Sequence, residues 1–435
     1  MFIKELILQN FRGFEEIKIP LHRSFNLIIG DNGSGKTAIL EALTVAMGSL
    51  FLGIRGQDSK NILAKDIHIK TLENSEEFGL PVYVSASGTV KGKEIIWERE
   101  LSSVKGKTHT KGAASIKTIG KEYDSLLRNG EKINLPVLVY YATGRLFEEA
   151  RYTQKEKSKI PEIASRLRAY EQCLQAKMTF NKFIEWYKGK ELAIIQKGME
   201  DVNYSVVKNA IINNIPDCEN VYYEFDPDKP TGLKIVLKDG RTLPFSYLSD
   251  GTRNFFALIA DIAFKCITLN PHLKEKALEE SPGMVLIDEL DLHLHPEWQR
   301  KIIFSLKNTF PKIQFITTTH SLFLIQETET NQLIKLKNNQ IASIGQGNNL
   351  SIEDIAEEFQ EVKNPQWSKT RQHMYQTASK YYQAVKEGTD SPEMKEEFDQ
   401  AMKPFAHDTA FYAIIEREKI KADYKRSLRN NEARK

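Results

Sequence analysis

The run Gly30-Asp31-Asn32-Gly33-Ser34-Gly35-Lys36-Thr37 places two glycines four residues apart and follows them with lysine and a hydroxyl residue. Residue types in that order can hold a polyphosphate. Glycines let the backbone N–H groups of Asn32, Gly33, Ser34 and Gly35 converge on phosphate oxygens, and a helix starting at the loop turns its positive end toward the same anion. Lys36 is expected to pair with the β- and γ-phosphates, and Thr37 to offer its hydroxyl to Mg2+. Such a loop needs a carboxylate partner for the metal. Asp288 and Glu289 emerge from the apolar run Val285-Leu286-Ile287. Asp288 suits Mg2+, directly or through water, and Glu289 suits the task of orienting and deprotonating an attacking water. His320, just past the apolar run "FITTT", can reach a γ-phosphate. Ser249 and Gly251, in "YLSDGTRN", stand ahead of a long helical pattern.

These residues work only if particular elements hold them. The loop requires a strand before it ("FNLIIG") and a helix after it ("TAILEALTVAM"), while "GMVLI" and "IQFITT" read as buried strands. Residues 1–50 otherwise alternate in strand fashion. From about Leu80 to Leu138 the runs "PVYVSASGTV", "KEIIWEREL", "SIKTIGKEY" and "LPVLVYY" read as short strands of an antiparallel lobe, placed at about 54–138. From about 147 to 208 the chain turns helical, with aromatic and Leu positions three and four apart, as in an arm inserted into the domain. Strands return at "NVYYEFD" and "GLKIVLKDGRTLPF". Residues 346–435 read as a helical region rich in Gln, Lys, Glu and Tyr, suited to docking a partner. The head is thus expected at 1–345.

Composition narrows the class. In 435 residues there are 61 basic against 58 acidic side chains, so any nucleic-acid surface must be local. The basic C-terminal run from Arg417 is one such place, where DNA or RNA phosphates could be contacted without sequence preference. Cys173, Cys218 and Cys266 are odd in number and widely spaced, which argues against a disulfide framework or a zinc site. No window approaches the roughly 20 apolar residues of a membrane span, and the N-terminus lacks a secretory pattern. The expectation is a cytoplasmic protein with no membrane partner.

"GDNGSGKT", "LSDGT", "LIDEL" with "DLHLHP" behind it, and "TTTHS" follow one another in an order that resembles the ABC-type ATPases. The branch is that of the SMC and RecF proteins and the OLD-type AAA ATPases, and the N-terminal "LQNFRGFEEIKI" fits it. The resemblance covers about residues 1–345. It implies an α/β fold: a P-loop ABC-type ATPase head with an antiparallel β lobe, a helical arm insertion and a C-terminal helical tail. It also implies ATP and Mg2+ as cofactors and Arg12 near the nucleotide base. Each ATP would be held by one copy's phosphate loop and covered by Ser249 and Gly251 of a second copy, so that hydrolysis requires a homodimer or higher oligomer. Asp291 would lie at that seam. Asp250 and Thr252 depart from the usual signature, and no glutamine stands where the family's Q-loop should fall, at "YYATGRL". His293 and His295 have metal-like spacing, but "HLHP" is common behind this motif and reads as structural.

Among these relatives, "YYATGRL" and the tail pattern most resemble the ATPase subunits of bacterial anti-phage defence systems, the PtuA proteins of Septu and retron systems and the ATPase of PARIS. The expected function is therefore an ATP-hydrolysing head that dimerises and controls a separate effector protein such as a nuclease. After His320 the sequence shows neither the carboxylate set of an OLD-type nuclease nor a His-Asn-His cluster; His373 and His407 are isolated. Two alternatives stay open at this point: a RecF-like protein that clamps DNA in an ATP-dependent way, and an ATP-binding scaffold with negligible turnover.

Overall fold

The structure, a computed structural model, describes residues 1–72, 75–144, 166–175, 180–342 and 350–405, with 417, 420–421, 424 and 427 beyond them. The first third of the expected arm, residue 407 and most of the basic C-terminal run therefore lie outside the described residues. Two compact units divide the chain, Met1–Ile355 and Ala356–Lys435.

In the first unit a hairpin, β1 (Phe2–Phe11) and β2 (Phe14–Pro20), leads to β3 (Phe25–Gly30) and α1 (Lys36–Gly48). A ribbon of β4 (Ile69–Leu72) and β5 (Ser75–Phe78) follows, then the hairpin β6 (Val82–Val90) and β7 (Lys93–Leu101), α2 (Ala114–Arg128) and β8 (Val137–Tyr141). Helices α3 (Phe180–Lys197) and α4 (Val202–Asn214) precede β9 (Cys218–Glu224), β10 (Gly232–Leu237) and β11 (Thr242–Pro244). Next come α5 (Asp250–Leu269), α6 (Ala277–Glu280), β12 (Gly283–Ile287), α7 (Pro296–Thr309), β13 (Ile313–Thr318), α8 (Leu322–Gln326), β14 (Leu333–Lys337) and β15 (Gln340–Ala342). The chain goes on through α9 (Ile352–Gln360), α10 (Lys369–Glu387) and α11 (Pro392–Met402).

The core sheet has the order β15-β14-β3-β13-β12-β8, with β14, β3, β13, β12 and β8 all parallel. Every residue of β8, β12 and β13 is buried, as strands covered on both faces require, which explains their near-continuous apolar runs. An antiparallel sheet, β2-β1-β6-β7, lies over the other side of α1. Its strands alternate buried and half-buried residues, most regularly in β6. Helix α1 packs against strands of both sheets, so its apolar residues are covered all round. Trp97 of β7 donates its indole N–H to the Ala46 carbonyl at 2.8 Å, tying the antiparallel sheet to the end of α1. Gln314 of β13 bonds both the N–H and the carbonyl of Ile3, at 2.9 and 2.7 Å, clamping the two sheets together. This is an α/β arrangement in which the phosphate-loop strand lies inside a parallel core sheet and an antiparallel lobe covers α1, as the fold expectation has it.

Two sequence expectations fail here. "SIKTIGKEY" is helix α2, not a strand. Its buried residues Ile116, Ile119 and Tyr123 recur at helical spacing, and five alternating residues were too short a window to show it. "VLVYY" does not belong to the antiparallel lobe. It is β8, the parallel edge of the core sheet beside β12. The strands β6 and β7 do form an antiparallel lobe, completed by the N-terminal hairpin.

The second unit has its own small core of Met374, Ala378, Tyr381, Val385, Phe398 and Met402. Tyr381 and Phe398 stack with centroids 5.3 Å apart. Ser368 and Ser391 cap α10 and α11, and Gly388 ends α10 in the left-handed conformation.

Candidate functional site

The register of the core sheet decides which residues meet. Thr317 lies beside both Ile287 and Leu27, and Thr318 beside Ile28. The loop after β3, the carboxylates after β12 and His320 after β13 therefore leave the sheet at neighbouring carboxyl ends, the usual ligand edge of an open parallel sheet.

Gly35 sits at φ 96°, a conformation that L side chains rarely adopt, and a Cβ on it would lie 2.3 Å from the Phe14 ring. Phe14, fully buried under the loop, makes the second glycine obligatory for packing as well as for backbone geometry. Lys36 is almost wholly buried, and its ammonium donates to the carbonyls of Gly30 and Asp31 at 2.7 and 3.0 Å. Burial lowers its pKa, against the opposing pull of the Asp288, Asp31, Glu289 and Asp291 carboxylates. The Ser34 hydroxyl is buried in the same loop without a hydrogen-bond partner.

Asp288 is held through both oxygens. Thr37 donates to one at 2.9 Å, Thr318 to the other at 2.6 Å, and the Asp288 N–H bonds the Tyr141 carbonyl at 2.8 Å. The Thr318 hydroxyl also accepts the Glu289 N–H at 2.7 Å. Glu289 adopts a positive φ of 50° and is half-buried, at the entrance to the same edge. Thr319 donates to Asp291 and accepts the Ser321 N–H, while Ser321 donates to Gln299, which bonds the Leu294 carbonyl. The whole 288–295 turn is thus tied to the exit of β13, where His320 is exposed. Thr318, Thr319 and Ser321 were not singled out in the sequence. Their signal was a run of hydroxyl residues closing an otherwise apolar strand.

Arg12, expected near the nucleotide base, is held by two carboxylates. Its guanidinium pairs with Asp66 at 2.8 Å and with Glu41, one turn beyond Thr37 on α1. Asn32 and Gly33 form the exposed tip of the loop. His295 caps α7 by accepting the Glu297 N–H at 3.4 Å.

Ser249 caps α5, accepting the Thr252 N–H at 3.3 Å, and Asp250 pairs with Arg253, which holds its carboxyl below the usual range. A Cβ on Gly251 would lie 2.2 Å from the His293 carbonyl, so the helix start is packed directly on the 288–295 turn. Among the described residues, no hydrogen bond or ion pair joins 249–252 to the phosphate loop of the same chain. A second link runs deeper. The Tyr141 hydroxyl donates to Asp261 of α5 at 2.7 Å, beside Lys265 at 3.6 Å from the same carboxylate. Thr143 and Gly144, at the place of the missing Q-loop glutamine, are exposed; Arg145 lies outside the described residues.

The donor set fits a nucleotide with magnesium. The glycine loop and the buried Lys36 ammonium suit phosphate oxygens, and a hydroxyl 2.9 Å from a single carboxylate is what Mg2+ takes when phosphates supply its other ligands. Among the described residues no group of three or more His, Cys, Asp or Glu side chains is arranged for a metal on its own.

A family model described as an AAA domain matches residues 5–215, and a second AAA-domain model, whose description mentions AbiEii and type IV toxin–antitoxin systems, matches residues 156–326. Together the two AAA-domain matches span residues 5–326. The chain is similar to "Retron Vc95 probable ATPase" of Vibrio cholerae, 27% identical over 397 residues, which cover 77% of this chain and 73% of that protein. It is similar to the same degree, 27%, to "Septu protein PtuA" of Bacillus thuringiensis, over 77% of this chain and 76% of that one. Among solved structures, an SMC head bound to a winged-helix domain of ScpA is similar at TM-score 0.46 and 17% identity, over 80% of this chain and all of that one. The phosphate loop falls in the first ATPase-domain match; Ser249, Asp288, Glu289 and His320 fall in the second.

Proposed function

We propose that this chain binds and hydrolyses ATP as one of a pair of heads, and that the pair controls a separate effector, such as a nuclease, in cytoplasmic bacterial anti-phage defence. The observation that carries the nucleotide reading is the continuous chain of hydrogen bonds Thr37–Asp288–Thr318. It joins the phosphate loop to the carboxylate across three neighbouring elements. On entry of the triphosphate, Lys36 would exchange the Gly30 and Asp31 carbonyls for phosphate oxygens, which suit its charge better. Thr37 and Asp288 would hold Mg2+, whose charge offsets that of the β- and γ-phosphates. Glu289 would accept the proton of the attacking water, and His320 would reach the γ-phosphate from the exit of β13.

Pairing is supported by the place of Ser249 and Gly251. Their helix end is rigidly seated on the 288–295 turn, and Ser249 is exposed. From there they can cover the phosphate of a second copy. The defence role rests on the likeness to the retron and Septu proteins over most of both chains.

Tagged protein expressed from its native locus should retain ATP and co-purify with a second gene product of effector chemistry. Recovery of DNA-repair mediators alone, with no effector, would contradict the defence role. Turnover equal to that of Glu289→Gln and near zero would contradict the hydrolytic one.

A further inference from the structure

A cleft of about 670 Å3 opens between α4, the region of α6 and the far half of α7. Its charged lining residues are Glu200, Glu275 and Glu279; no lysine, arginine or histidine lines it. Among the described residues none of these three glutamates has an ion-pair partner, although acids on neighbouring surfaces do, such as Glu280 with Lys312 and Glu329 with Lys307. The cleft is also apolar where it meets solvent. Phe304 is 69% exposed and Val202 40%, and Met199, one residue before Glu200, is 69% exposed. Large apolar side chains exposed together around a concavity mark an interaction site. Amide side chains, Asn209 and Asn308 among them, complete the lining and can pair with a peptide backbone.

We propose that this cleft seats a basic segment of a partner protein that carries an apolar anchor. The carboxylates select the charge: an acidic or phosphorylated segment would meet three like charges, whereas lysine or arginine would supply the pairing those carboxylates lack. Phe304 and Val202 take the anchor. The position gives the contact a consequence. Helix α4 packs on α5, which Ser249 caps, and α7 grows out of the turn that holds Asp288 and Asp291. Thr309 at the end of α7 bonds Asn214 at the end of α4 at 3.2 Å, closing the floor between them. A segment in the cleft thus grips α7, which starts at the 288–295 turn, and α4, which packs on α5. The seat itself goes beyond the nucleotide reading, because its residues lie apart from the phosphate loop.

The test uses the full chain and a fluorescent synthetic peptide of lysine and leucine, with lysine–serine and glutamate–leucine peptides as controls. The lysine–leucine peptide should bind, and the two controls should not. Glu200→Gln/Glu275→Gln/Glu279→Gln and, separately, Phe304→Ser should each weaken binding by about tenfold or more. Glu393→Gln/Glu396→Gln/Glu397→Gln, on exposed α11 positions, should leave it unchanged, as should Lys36→Ala, which removes the nucleotide site's cation. Unaltered binding in both cleft variants would overturn the proposal, and so would equal loss in the α11 control. A change of self-association in the cleft variants, measured by sedimentation, would also overturn it, since the occupant would then be a second copy.

Discussion

At the scale of single residues, Glu289 and Gly35 make opposite demands on a substitution. Glu289 projects from a strand tip with a left-handed backbone, and the account gives it one task, taking a proton. Glu289→Gln keeps the shape and removes the base, so turnover should fall by about a hundredfold or more while ATP binding persists; steady-state rates beside equilibrium nucleotide binding check this. Gly35→Ala acts on the fold instead. Its φ of 96° costs a side-chain-bearing residue about 1–3 kcal/mol, and the new methyl meets Phe14. Denaturant unfolding should show a large loss, and in combination with Phe14→Ala the two losses should sum to more than the double variant shows. That Thr37 and Asp288 would meet was legible in the sequence, because a phosphate loop asks for a hydroxyl beside a strand-end carboxylate. Thr318 and Gln314 were not. Their partners, Asp288 and Ile3, are set by which strands lie side by side, and a single chain of letters does not show that.

At the scale of elements, α5 is the member that ties the site together. It meets the 288–295 turn at Gly251 and the end of β8 at Asp261, and β8 in turn holds the Asp288 N–H. Tyr141→Phe leaves the Asp261 carboxylate with Lys265 and without its hydroxyl partner. The expected cost is about 1–3 kcal/mol, the usual penalty for a buried acceptor losing its donor, and it is read from the denaturant midpoint. Gly251→Ala should lower the melting temperature as well, because the methyl would push against the His293 carbonyl. The elements of the core sheet were readable as buried runs between turn signals. Helix α2 and strand β8 were misassigned, the first because its period was judged over too few residues, the second because a fully buried strand carries no mark of which sheet it joins. Arg12 was placed by resemblance near a base. Asp66, which binds it, lies far away in the chain, and only the fold brings the two together.

At the scale of the whole molecule, burial governs the three thiols. It pushes Cys173 and Cys266 up to about 12 and Cys218 up to about 11, so thiolate is scarce in the native protein at neutral pH. Thiol-reactive dye should label none of them quickly until denaturant is added; prompt native labelling would show that those elements open readily. The central claim is that one active site is built from two copies, and a mixing experiment tests it most directly. Lys36→Ala removes the phosphate-loop cation and leaves Ser249 intact, whereas Ser249→Arg does the reverse. Each variant alone should be nearly inactive in ATP hydrolysis. Mixed in equal amounts and allowed to exchange, half the pairs would hold one complete site, giving about a quarter of wild-type turnover. A mixture no more active than the two variants measured apart would contradict the composite site.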